Sequence, residues 1–204
     1  MNQITHFLDN SQVYGSDSET AVSLRTFNKG GLKVTPRKGH HDLDLLPPDN
    51  QAAAGSCSLP KSVSGIDPPP ELKCFKAGDG RVNENPNMAV TQTAFLREHN
   101  RIAAELSCLN PHWDDERLYQ EARRIVNAEF QHITYNEWLP VVIGSNKMQE
   151  IGLCPLDEGF SANYDANLNP TILNEFATAA FRLHTLLQGK FECVLQNMML
   201  LRLN

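Results

Sequence analysis

The chain has 204 residues, with 18 Lys and Arg against 24 Asp and Glu, a formal charge of −6, and 41% hydrophobic residues. These are ordinary values for a globular protein of one domain or slightly more. They exclude a chain built mainly to neutralise nucleic-acid phosphates, and no stretch approaches the roughly 20 apolar residues of a membrane-spanning helix.

The first six residues, MNQITH, carry no basic region ahead of an apolar core, so no secretory leader is read there. Residues 1–88 read as irregular. Their short apolar pieces are broken by Gly30-Gly31, Pro47-Pro48, Gly55 and Pro68-Pro69-Pro70. One short helix is expected over residues 19–25, capped by Ser16 or Asp17. From about Val90 the pattern turns helical: Ala94, Phe95, Ile102, Ala103 and Leu106 recur at three- and four-residue spacing, and the helix stops before Pro111. A second helix starts at Asp114 or Asp115, carries Leu118, Ala122, Ile125 and Val126, and runs to about Thr134. Leu139 to Ile143 is a short apolar run closed by Gly144, and a brief helix over residues 147–151 ends at Gly152. A third long helix is expected from Pro170-Thr171, carrying Ile172, Leu173, Phe176, Ala180, Phe181 and His184. The fold class read from this order is mainly α, with long irregular loops and little β.

Three constellations have chemical potential. Thr5, Asp9 and Ser11 place alternate oxygens where, with backbone carbonyls, they can converge on a hard cation. An ordinary turn with Asx and Ser hydrogen bonds is the plainer reading of that spacing. The run GDGRVNEN from Gly78 sets Arg81 and Glu84 just before a long helix. Arg81 keeps its charge at any working pH and can steady a developing oxyanion; on spacing alone, an Arg–Glu pair holding the helix entrance is the simpler account. His184, on an apolar helical face, suits a haem iron ligand but equally a core histidine. Five cysteines, at 57, 74, 108, 154 and 193, show no zinc spacing. Cys57 and Cys74 flank a loop rich in Pro, Ser and Gly. A bridge there would contribute about 3 kcal/mol on the chain-entropy model, and reduced thiols are the alternative.

Three longer runs carry a resemblance. TQTAFLREHNRIA from Thr91, LNPHWDDERLYQEAR from Leu109 and ITYNEWLPVVIG from Ile133 resemble the animal haem peroxidase family, above all its invertebrate members. The likeness extends over nearly all of residues 2–190. It implies a partial animal haem peroxidase fold. Residues 1–190 form the central part of the domain: 1–88 hold the calcium loop, disulfide loop and distal arginine, and 89–190 the helical part with the proximal histidine. Residues 191–204 are a tail unlike the family. The resemblance further implies haem and calcium as cofactors. Thr5, Phe7 through its carbonyl, Asp9 and Ser11 fall on the calcium loop. Arg81 falls on the distal arginine that helps polarise the peroxide O–O bond, and Glu84 on the carboxylate that can esterify a haem methyl. His184 falls on the proximal ligand of the haem iron, and Cys57 with Cys74 on a family disulfide. Glu98 and His99 belong to the fold signature and receive no chemistry.

The implied activity of the complete protein is reduction of hydrogen peroxide with oxidation of a small donor, a phenol, tyrosyl group or halide. It would act outside the cell, with an extracellular-matrix or cell-surface partner in view and neither nucleic acid nor a transmembrane segment. Two departures qualify this. Only Leu183 separates Phe181-Arg182 from His184, where the family has two residues, and one residue fewer turns a helix by about 100°. The distal histidine is expected upstream of residue 1, so the 204 residues alone are expected to be weakly active or inactive. The alternative is a non-catalytic adhesion or interaction protein derived from a peroxinectin-like member.

Overall fold

The computed structural model describes residues 5–36, 43–49, 74–180, 191–194 and 200–203. In chain order it holds α1 (Ser11–Tyr14), α2 (Ser18–Leu24), a 3-10 turn (Gly80–Asn83), α3 (Pro86–Leu109), α4 (Asp115–Ile133), a π turn (Thr134–Trp138), α5 (Leu139–Ile143), α6 (Ser145–Glu150), a second π turn (Phe176–Ala180), and strands β1 (Phe191–Val194) and β2 (Leu200–Leu203). The mainly helical class stands. Two compact units divide these elements: Phe7–Tyr164 is one, and Met1–His6 with Asp165–Asn204 is the other.

Capping residues set the helix starts. Asp17 accepts the Thr20 N–H at 2.8 Å and opens α2. Asn85 accepts the Asn87 N–H at 2.8 Å, and Pro86 follows at the first helical position, where its missing N–H costs nothing. Thus α3 begins before the Val90 suggested by periodicity. Asp114 caps α4 through the Arg117 N–H at 2.8 Å, with Asp115 and Glu116 in the positive first turn. The π turn after α4 has a local cause. Pro140 lacks an N–H and its ring crowds the carbonyl four residues back; the chain widens instead, and Leu139 donates to Thr134 O, an i to i+5 bond. The 139–143 run is therefore helical, and α6 begins two residues earlier than expected.

The core of the larger unit lies where α3 and α4 meet the loops before them. It includes Tyr14, Leu24, Leu32, Leu46, Val82, Leu96, Ile102, Ala103, Tyr119, Ala122 and Val126. Two expected core positions are corrected: Ala94 is exposed and Ile125 is 39% exposed, while Gln92, Thr93, Leu96 and His99 take the inner face of α3. Gly30, at φ +73°, lets its loop approach the α4 backbone; a Cβ there would lie 2.6 Å from the Tyr119 amide nitrogen. Beside it the buried Arg25 pairs with Asp115 at 2.8 Å and with Glu116, and its guanidinium lies over the Tyr119 ring at 4.0 Å.

In the smaller unit helical structure starts at Asn174 rather than near Pro170, Phe176–Ala180 is π-helical, and the rest of the expected third long helix, with Phe181 and His184, lies outside the described residues. β1 and β2 form an antiparallel pair with Phe191 opposite Leu203 and Val194 opposite Leu200.

Candidate functional site

The site with the most developed geometry is the 3-10 turn that carries Arg81. Its approach is fixed by close packing on α1. Gly78 lies so near that an added Cβ would overlap the Ser11 carbonyl and the Gly15 amide, and Asp79 N–H donates to Gln12 O at 3.2 Å. Val82 is buried beneath the turn. Asn83 closes it from the other side, accepting the Phe75 N–H at 2.9 Å and donating to Phe75 O at 2.8 Å.

On this base Asp79 gathers Arg81. One carboxylate oxygen accepts the Arg81 backbone N–H and Nε–H, both at 2.9 Å, and the other accepts Nη2–H at 2.6 Å. The Arg81 side chain is 57% exposed and that of Asp79 only 14%. The pair perturbs both members: hydrogen bonding to Arg81 holds the Asp79 carboxyl below the usual carboxylate range, and the Asp79 carboxylate raises the guanidinium further. The Arg–Glu pair expected from spacing is therefore corrected to Arg81–Asp79. Glu84, one turn on, is exposed, and its carboxylate makes no hydrogen bond or ion pair among the described residues. Arg81 Nη1 likewise has no hydrogen-bond partner among the described residues, so the turn presents unspent cationic donors, and the Glu84 charge adds to the rise in the guanidinium.

Asp79 is the residue that sequence reasoning missed. The signal was present, an Asp between two glycines just before the Arg, but the i, i+2 spacing does not match the helical pairs usually sought.

Phe7, Asp9 and Ser11 lie in the larger unit and Thr5 in the smaller. Asp9 Oδ1 accepts the Ser11 N–H at 3.1 Å, the Asx turn of the plainer reading. Asn10, in the left-handed region at φ 53°, turns the chain into α1 and is itself buried. The second Asp9 oxygen and the Ser11 hydroxyl make no hydrogen bond among the described residues, so their lone pairs fit an oxygen-seeking cation. Among the described residues no three His, Cys, Asp or Glu cluster as a metal site, and no helix is long and apolar enough to cross a membrane. Cys74 is disulfide-bonded, and Cys108 and Cys154 are free and exposed. Cys57 and His184 lie outside the described residues.

Residues 1–201 match the family model described as animal haem peroxidase. The chain belongs to the animal haem peroxidase family. Chorion peroxidase of Drosophila melanogaster is 45% identical over 94% of this chain and 22% of its own length. The peroxidasin homolog of Mus musculus is 43% identical over 92% of the chain and 12% of its own. Among solved structures, peroxidase A from Dictyostelium discoideum superposes with a TM-score of 0.72 at 32% identity, covering 96% of this chain and 34% of that one. The chain thus spans about a fifth of the length of the chorion peroxidase it matches. The mainly helical architecture is that of an animal haem peroxidase, and the family's name implies haem.

Proposed function

We propose that the complete protein containing this chain is a haem-dependent peroxidase that reduces hydrogen peroxide and oxidises a small donor such as a phenol, a tyrosyl group or a halide. The observation that carries the proposal is the Arg81 turn: a cation held by Asp79, with Nη1 unspent and the Glu84 charge acting on the same guanidinium. Haem, when bound, supplies the iron at which peroxide is reduced. The chain's own residues divide the remaining work. Arg81 binds and orients peroxide and offsets negative charge as the O–O bond polarises, a role that preorganised donors perform well. Glu84 would hold the haem edge. His184 would bind the haem iron. Asp9, Ser11, Thr5 and the Phe7 carbonyl hold calcium, and Cys57 pairs with Cys74. The setting is extracellular, with a matrix or cell-surface partner.

The test uses the complete protein. Bound haem, seen as a Soret band, and peroxide-dependent oxidation of a phenolic donor are expected, with R81A about 10²-fold slower toward peroxide. No haem uptake together with stable partner binding would favour the adhesive reading instead.

A further inference from the structure

We propose that Asp79 is a positioning residue for Arg81, setting where the guanidinium points toward peroxide. The inference rests on the reading of Arg81 given above and adds to it the part that makes an exposed arginine useful.

An arginine on an open surface samples many rotamers, and a donor contributes to a reaction only while it is aimed. One carboxylate accepts three hydrogen bonds from Arg81, and the two from the guanidinium remove that freedom. Together the three take the backbone N–H, Nε and Nη2 of Arg81 and leave Nη1 without a partner among the described residues. The carboxylate is itself fixed. Its residue donates to Gln12 O, the preceding Gly78 has no space to shift against α1, and Val82 pins the far end of the turn. Asp79 thus couples the rigid α1 packing to a charged group that is otherwise in solvent. Its low exposure and its charge fit this task better than a capping role alone, for which Asn or Ser would serve equally.

That equivalence provides the experiment. In the complete haem-loaded protein, D79N keeps a capping oxygen for the Arg81 N–H but loses the charged, two-oxygen grip on the guanidinium. Two measurements are made on D79N, D79E, R81A and D79N/R81A: the rate of reaction with peroxide, and fluoride affinity of the ferric protein from the Soret shift, which needs an aimed donor but no turnover. D79N is expected to be about tenfold weaker in both, the effect of one charge-assisted hydrogen bond, with haem content and melting temperature unchanged. D79E recovers part of the loss. In the R81A background D79N has no further effect, as a residue acting through Arg81 requires. Wild-type behaviour of D79N beside an impaired R81A overturns the inference and leaves the Arg81 reading standing. So does a D79N loss that persists undiminished without Arg81, which marks a structural role. If R81A itself matches wild type in both measurements, the reading of Arg81 falls and this inference falls with it.

Discussion

At the scale of single residues, His99 is held at both ring nitrogens. It is fully buried, with Nε2 2.8 Å from Gly30 O and Nδ1 3.0 Å from Tyr14 Oη. A carbonyl can only accept, so Nε2 carries the proton; neutral Nδ1 then accepts from the tyrosine hydroxyl. Burial favours the neutral ring and, with Arg25 and Arg123 nearby adding to it, brings its pKa down to about 4 against the pull of the Gly30 carbonyl. The unfolded chain protonates this histidine near pH 6.5, the folded protein only near pH 4. Between these values the unfolded state binds more protons, so stability is complete above about pH 6.5 and falls as the pH drops toward 4. The loss is on the order of 3 kcal/mol. Urea unfolding at pH 7 and pH 4.5 should therefore show a smaller pH-dependent loss in His99→Gln than in wild type. An equal loss in both would remove His99 as the source.

At the scale of elements, the turn bearing Arg81 depends on an absent side chain. Gly78→Ala would drive a methyl group into the Ser11 carbonyl and the Gly15 amide, both backbone atoms that cannot rotate away. The turn or α1 must shift, at a cost of about 1–3 kcal/mol. A lowered melting temperature is expected together with slower reaction with peroxide, because Asp79 moves with Gly78; wild-type values for both would mean that the packing is looser than this. Legibility in the sequence follows the same divide between local and long-range causes. The starts of α2 and α4 were readable because Asp17 and Asp114 cap their own helices. The beginning of α3 was obscured by exposed polar residues such as Asn87 and Thr91 in its first turns. The inner face of α3 was only partly readable, since apolar periodicity cannot register Gln92 or His99, whose burial depends on distant partners. Arg81 and Glu84 were identified through family likeness, whereas Asp79 needed the folded turn to bring its carboxylate onto the guanidinium. Pro170 is a favourable first-turn residue, but Thr171, Ile172 and Leu173 are exposed and the helical turn begins only at Asn174, a boundary that first-turn chemistry does not fix.

At the scale of the whole molecule, stability is unevenly distributed. The α3–α4 core buries its side chains, while every residue from Ile151 to Phe176 is exposed, with Phe160 at 101% and Tyr164 at 88%. Few backbone hydrogen bonds outside the helices close this stretch: Ile151 donates to Lys147 O, Gly152 to Gln149 O, Leu153 to Met148 O, Leu168 to Asp165 O and Phe176 to Leu173 O. With little buried area and few amides engaged, its local opening free energy lies near the bottom of the range for a folded chain. Exposed aromatic and aliphatic side chains in such density also suit burial against further protein surface. Both points make one prediction for limited chymotrypsin digestion followed by mass spectrometry. In the 204-residue chain the first cuts should follow Phe160, Tyr164 or Leu168, ahead of any cut in α3 or α4, because cleavage tracks the population of locally open forms. In the complete protein the same bonds should be protected. First cuts within α3 or α4 would show that the helical core is not the stable part of the chain, and equal cleavage in both proteins would show that these side chains remain in solvent there too.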